Sequence, residues 1–460
     1  APKNPNIKYR PDIDGMRALA VLSVILFHAG YEWISGGFVG VDVFFVISGY
    51  LITGIVYEDL VKGRFSFAKF YKRRAARLLP ALCILLCAVL LFGFLFYDNS
   101  KFDRLGKDVL FSAIGAANIL FAQGVDYFAS DTSVRPLIHM WSLGVEEQFY
   151  LVWPITLIAV SKLRLRSVLI ISCLIFLVSF AFSIWAAHTI PMKAYFYPQY
   201  RAFELLMGAI LALAIRSPSY HALQLSRLIR ESIVWLGIVL VIVPMFLLDE
   251  ASIFPGVNAL WPCLGTTMII AFAQGTSLAY ILSLKALVMV GLVSYPLYLY
   301  HQPIISGLHF FEVTHSPSVI FLLSLILALP ASWLTYRYLE KPTRKLCHMH
   351  TSRKSKMLIG GMVAMLGSFA ALGLAIAKFN GVPERFKILN PFAYEVSQNN
   401  KRVFYTAFDQ GYHVTEGTDG RVLFIGDSTM QQFVLPIINA LGVDPENTDS
   451  VTRGGCVLLK

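Results

Sequence analysis

The chain has 460 residues, 56% of them hydrophobic and 15% charged, with a mean hydropathy of +0.63. Ordinary globular chains carry about 25% charged residues, so this composition excludes a disordered protein, a disulfide-stapled miniprotein and a coiled coil, and indicates a polytopic helical membrane protein. The net charge of +11 could suit a nucleic-acid binder, but the positions of the basic residues assign it to the positive-inside bias of a membrane protein, and no nucleic-acid partner is expected.

Eleven apolar segments predict spanning helices: 16–31, 38–57, 79–97, 144–161, 167–187, 202–215, 232–248, 257–274, 285–308, 318–338 and 357–378. The first continues straight into further spans, so it is not expected to be a cleaved leader. Segment 106–123 is only moderately apolar and contains Lys107, Asn118 and Gln123. With that segment left out of the crossings, alternate loops carry 24 Lys and Arg on one side and six on the other. An extra crossing would invert every later loop, so 106–123 is expected to lie on the surface or re-enter. The bias predicts a cytoplasmic N-terminus and, after eleven crossings, an outer C-terminal tail.

Beyond about Asn380 the chain turns polar, with Pro383, Pro391 and the run Ser397-Gln398-Asn399-Asn400 marking a linker. Arg421 to Ser428 is expected to form a buried strand ending in a tight turn, followed by a helix from Met430 to Leu441. About forty residues from the start of this strand are too few to bury an α/β core. The chain is therefore expected to stop within this second domain.

Five constellations could carry chemistry. Arg17 and His28 share the first span, about 16 Å apart along a helix. A histidine near a helix end is often only packed there, but an ionisable group inside a span is a functional candidate, and His suits general base work near neutral pH. Lys72-Arg73-Arg74-Ala75-Ala76-Arg77 anchors the cytoplasmic end of the third span or grips a phosphorylated ligand, since arginine takes phosphate with two prongs. Glu146 and Glu147, in the block from His139 to Tyr150, need partners such as Arg135, Arg201 or His28. Tyr197, Arg201 and Glu204 lie in the block from Tyr195 to Glu204, where the two charged residues form an i,i+3 pair if helical. Gly426-Asp427-Ser428 places a serine at a strand-to-helix turn, the geometry of activated serines in several hydrolase folds.

These residues resemble the membrane-bound acyltransferase-3 family over the first 345 positions. The resemblance rests on Asp14 to Val21, the spacing of Arg17 and His28, and the block from Gly37 to Ile52. It continues through Phe70 to Arg77 with Pro80, Trp141 to Tyr150, Arg201 to Leu206, Ser294 to His301, and Glu340-Lys341-Pro342. The tail resembles the start of an SGNH-type domain with Ser428 as nucleophile. The resemblance implies an all-α membrane domain of ten helices over 1–345, a linking span over 346–380, a periplasmic linker over 381–420 and the start of an α/β domain over 421–460. It further implies a multi-pass protein of the bacterial inner membrane that transfers acetyl groups from cytoplasmic acetyl-CoA to an extracytoplasmic glycan, foremost lipopolysaccharide O-antigen and alternatively peptidoglycan.

In that scheme Arg73, Arg74 and Arg77 hold the donor phosphates and Arg17 helps to hold the donor. His28 is base or transient acyl carrier, with Glu146 or Glu147 orienting it, and Ser428 passes the acyl group on. Ser48, Tyr50, Tyr197, Arg201 and Glu204 complete the binding residues. Acetyl-CoA is a substrate, with no permanently bound cofactor and no metal expected. Two other readings compete. A proton-coupled transporter or flippase would also bury His, Arg and carboxylates, but such proteins usually repeat internally and no repeat is visible. An esterase on an inert anchor would leave the ionisable residues of the bundle unused.

Overall fold

The computed structural model describes residues 9–124, 134–348, 353–385, 422–426 and 448–452. Contacts divide the chain into two units, one made of residues 1–93 and 104–377 and the other of 94–103 and 378–460. Among the described residues the first unit is helical throughout. Its N-terminal half holds α1 (Pro11–His28), α2 (Gly40–Val61), α3 (Phe67–Phe96), α4 (Asn99–Ala113), α5 (Ala117–Phe121), α6 (Met140–Val160) and α7 (Leu165–Thr189). After the short helix Pro191–Phe196 come α8 (Pro198–Ala214), α9 (Arg227–Leu247), α10 (Gly256–Phe272), α11 (Lys285–Leu292), α12 (Ser294–Phe310), α13 (Pro317–Thr335) and α14 (Arg353–Lys378).

All eleven apolar segments expected from the sequence are helical. Seven helices among the described residues are long and apolar enough to cross a bilayer, and the chain is a multi-pass membrane protein. The other four expected segments differ for definable reasons. α1 has 18 residues but includes Asp12, Asp14 and Arg17. α8 and α10 have 17 residues each. Segment 285–308 is divided at Val293 into helices of eight and 17 residues. Segment 106–123 is divided between α4 and α5, of 15 and five residues, too short to span about 30 Å of hydrocarbon.

The spans differ in how much protein surrounds them. In α2 with its preceding turn, 67% of the most apolar window is buried, against 11% in α14. α2 is therefore the central helix and α14 a peripheral one. The central packing depends on small residues, as helix contacts in membranes commonly do. A Cβ on Gly49 would run into the carbonyl of Leu205, and one on Gly208 into the carbonyl of Val46. These two glycines let the backbones of α2 and α8 touch, which brings Asp42 of α2 beside Arg201 and Glu204 of α8.

α1 begins with Pro11 at its first turn, where the missing N–H costs nothing. It ends just after His28, because Gly30 takes φ +87° and turns the chain out of the helix. His28 is thus fixed in the last turn of α1. In the second unit, Arg385 donates to the carbonyls of Phe94, at 3.2 Å, and Tyr97, and its guanidinium lies 4.1 Å from the centre of the Phe102 ring. The strand expected near Arg421 is present as β1 (Val422–Gly426), which pairs in parallel with β2 (Thr448–Thr452). Ser428 and the helix expected over 430–441 lie outside the described residues.

Candidate active site

Three histidines meet inside the first unit. His28 Nδ1 lies 2.9 Å from His301 Nε2, and the two rings stack with centroids 5.1 Å apart. His139, which caps the start of α6, packs edge-on against His301 at 5.4 Å. Tyr298 precedes His301 by three residues on α12, so both lie on one helical face. The Tyr298 hydroxyl donates to the carbonyl of His139 at 3.1 Å and is 2.7 Å from Ser142 Oγ.

Tyr298 and Ser142 also border a cavity of about 390 Å³, within the range of small-molecule sites. It follows α2 from Val41 to Ile55. Fourteen helical steps at 1.5 Å make about 21 Å, most of a bilayer's hydrocarbon thickness. Five arginines face it: Arg17, Arg73, Arg74, Arg77 and Arg344. Four are held by carboxylates. Arg17 pairs with Asp14 at 3.2 Å, Arg73 with Asp59 at 3.2 Å, Arg74 with Glu147 at 3.3 Å and Arg344 with Glu340 at 3.3 Å. Among the described residues, Arg77 has no ion pair or hydrogen bond. Of the five, it is the one with no carboxylate in ion-pair contact, and Glu340 acts on it only from beyond that range.

Ser48 and Glu146 complete the polar wall. Ser48 donates to Glu146 Oε1 at 2.7 Å, and Tyr150 donates to Oε2 at 3.1 Å. Arg74 lies 3.6 Å over the Tyr150 ring. Arg74 and Tyr295 also border a second cavity of about 290 Å³, where Glu147 lies. The cavity thus unites Arg17, Ser48, Arg73, Arg74, Arg77 and Glu146 of the residues expected from the sequence. It does not bring either glutamate to His28. Glu146 is engaged by Ser48 and Tyr150, Glu147 by Arg74, and His28 by His301. The expectation that Glu146 or Glu147 orients His28 thus stands beside a different observed contact, that of His28 with His301.

Tyr50, Tyr197, Arg201 and Glu204 do not line this cavity. Tyr50 and Tyr197 are partly buried elsewhere. Arg201 and Glu204 form the expected i,i+3 pair at 3.1 Å, at most 1% exposed. Rings of Phe45, Trp141, Tyr195 and Phe254 stand 5.1–5.6 Å from the Arg201 guanidinium.

Sequence reasoning missed His139, Ser142, Tyr298, His301, Tyr295 and Arg344 as site residues. His139 stands at the head of the Trp141 block, and Tyr298 and His301 show i,i+3 spacing in the Ser294 block. Those signals pointed to shared faces, but the meeting of α1, α6 and α12 has no sequence signature.

The acyltransferase-3 family, described as an acyltransferase domain, matches residues 10–337. O-acetyltransferase OatA of Staphylococcus aureus strain MRSA252 is 32% identical over 393 residues, covering 80% of this chain and 64% of that protein. OatA of strain NCTC 8325 is 34% identical over 352 residues, covering 74% and 58%. A putative O-acetyltransferase of strain MSSA476 is 34% identical over 365 residues, covering 75% and 58%. The chain thus spans less than two thirds of the length of these curated relatives. No solved structure matches it.

Proposed function

The chain belongs to the acyltransferase-3 family, and from that membership we propose that it is a membrane O-acetyltransferase, carrying an acetyl group from cytoplasmic acetyl-CoA to a hydroxyl of an extracytoplasmic glycan, foremost lipopolysaccharide O-antigen. The observation that carries this reading is a single cavity that joins five arginines to Tyr298, which itself packs on the histidine array. The arginines suit the phosphates of a nucleotide-linked donor, because guanidinium forks match phosphate oxygens. The cavity's length along α2 suits a donor with an extended arm.

The histidines supply the chemistry. A neutral imidazole has one donor and one acceptor nitrogen. If His28 Nδ1–H donates to His301 Nε2, His28 Nε2 keeps its lone pair. That nitrogen takes the proton of an attacking hydroxyl as the thioester carbonyl is attacked and the CoA thiolate leaves. In the covalent variant, the same nitrogen attacks the thioester first and carries the acyl group. His301 holds the tautomer in either route, as an acceptor fixes imidazole in catalytic triads. Ser428, in an SGNH-type domain, would receive the acyl group and pass it to the sugar. A direct transfer would leave that domain to present the acceptor.

The test is the O-acetyl content of surface glycans in a host lacking its own enzyme. The host expresses the full-length protein, His28→Ala or Ser428→Ala, and lipopolysaccharide and peptidoglycan are analysed separately. The reading requires ester with the wild type and none with His28→Ala. The fraction that carries the ester identifies the acceptor. Loss with Ser428→Ala assigns the relay, and retention assigns direct transfer. Full acetylation by His28→Ala would make that histidine structural and remove the mechanism.

A further inference from the structure

Asp42, Arg201 and Glu204 place two carboxylates around one guanidinium, all at most 1% exposed. Arg201 Nη2 lies 3.0 Å from Asp42 Oδ1, and its Nε lies 3.1 Å from Glu204 Oε1. Asp42 Oδ2 and both Glu204 oxygens meet no donor in hydrogen-bond geometry. One atom each from Asp42, Glu204 and the buried Cys263 thiol lie within 4.8 Å of one another.

The charges do not balance as they stand. Two ionised carboxylates and one guanidinium leave a net −1 where water does not reach, and an unpaired buried charge is very costly. Carboxylates forced to share a site resolve this by keeping a proton on one of them. The orphaned oxygens mark where that proton belongs, since they lack a donor and the two carboxylates approach within 4.8 Å. A divalent cation could supply the charge instead. However, the guanidinium already touches both carboxylates and would repel it. The ligand set also lacks the histidine common in zinc sites.

We propose that Asp42 and Glu204 share a single proton, so that Asp42, Arg201 and Glu204 form a neutral, water-free unit clamping α2 to α8. The three are positioning residues. Arg201 stands 5.6 Å from the ring of Phe45, and Phe45 and Ser48 both face the arginine-lined cavity. They follow Asp42 on α2 by about one and two helical turns. The unit thereby sets the register of the cavity's central helix. This inference stands apart from the reaction proposed above, since it concerns the protonation of a site that does not line the cavity.

Infrared difference spectroscopy on the full chain in lipid vesicles tests it. Spectra at neutral pH in H2O and D2O compare wild type with Glu204→Gln, Asp42→Asn, Cys263→Ser and Arg201→Met, alongside the metal content of each preparation. The wild type should show a protonated carboxyl C=O band that moves to lower frequency in D2O. Glu204→Gln and Asp42→Asn should each lose one such band, because the remaining carboxylate is then ionised against Arg201. Cys263→Ser should keep it. Arg201→Met should gain a second band; should that variant fail to accumulate, the two single amide variants decide. Both of these should melt within a few degrees of wild type, while the double variant, with Arg201 uncompensated, should melt far lower. A spectrum unchanged in both amide variants would overturn the proposal. So would one divalent ion per chain that is lost in Cys263→Ser.

Discussion

His28 and His301, 273 residues apart in the chain, face each other with Nδ1 and Nε2 at 2.9 Å. The bond ties the last turn of α1 to the middle of α12. A histidine that is only packed has no need of an aligned imidazole partner, and a bond between two ring nitrogens makes the tautomers of the two rings depend on each other.

Substitutions at the two positions should therefore act as one unit. His28→Ala should lower acetyl transfer by roughly 100-fold or more, as expected for loss of a general base. His301→Ala should reduce kcat more than it changes the KM for the donor. The double variant should be little worse than the more damaging single one, because groups acting together are not additive. The assay is acetyl transfer from acetyl-CoA by the purified full-length chain. Multiplicative losses would mean that the two histidines work independently.

The cavity arginines should not be equivalent. Among the described residues Arg77 has no carboxylate in ion-pair contact, whereas Arg73 is held by Asp59 at 3.2 Å. Arg77→Ala should weaken donor binding by about tenfold or more, corresponding to the loss of hydrogen bonds between charged groups. Arg73→Ala should cost less, because donor binding to Arg73 must first displace Asp59. Calorimetric titration with CoA reads both. Equal losses would show that resident pairing does not grade the sites.

The crossing of α2 and α8 should tolerate no side chain. Gly49→Ala and Gly208→Ala each drive a methyl group into a facing carbonyl, and overpacking of this kind costs about 1–3 kcal/mol or more. Gly54→Ala provides the control on the same helix, because a Cβ there meets nothing within 4 Å. Thermal unfolding in detergent should show large drops for the first two and none for the third. A comparable drop for Gly54→Ala would mean that helix backbone effects rather than contact decide.

The segment between α3 and α6 should depend on one buried pair. Arg135 Nη2 and Nε lie 2.6 and 2.8 Å from the two oxygens of Asp108, whose side chain is 1% exposed. Removing one partner of a buried pair costs about 3–5 kcal/mol. Asp108→Asn should therefore lower the melting temperature clearly, and Asp108→Leu combined with Arg135→Leu should recover part of it. A double variant worse than the single one would assign the stability to the hydrogen bonds and not to the orphaned charge.

The amino-acid order by itself determined what depends on local composition and spacing. Apolar runs marked eleven segments that are helical, seven of them long and apolar enough to cross a bilayer. The run Arg73-Arg74 with Arg77 marked one wall of the cavity, since i,i+3 and i,i+4 spacing holds cations on one face of α3. The charge bias also kept 106–123 out of the crossings, and the structure divides it into helices too short to cross.

What only the tertiary structure decided is which faces meet. Two carboxylates at 146 and 147 look alike in sequence, yet α6 turns Glu146 to Ser48 and Glu147 to Arg74, because consecutive helical residues point about 100° apart. Arg201 and Glu204 read as binding residues, but the close approach at Gly49 and Gly208 seals them with Asp42 away from the cavity. His28 acquires its partner only when α12 crosses α1. A contact across 273 residues arises from packing, and no local pattern encodes it.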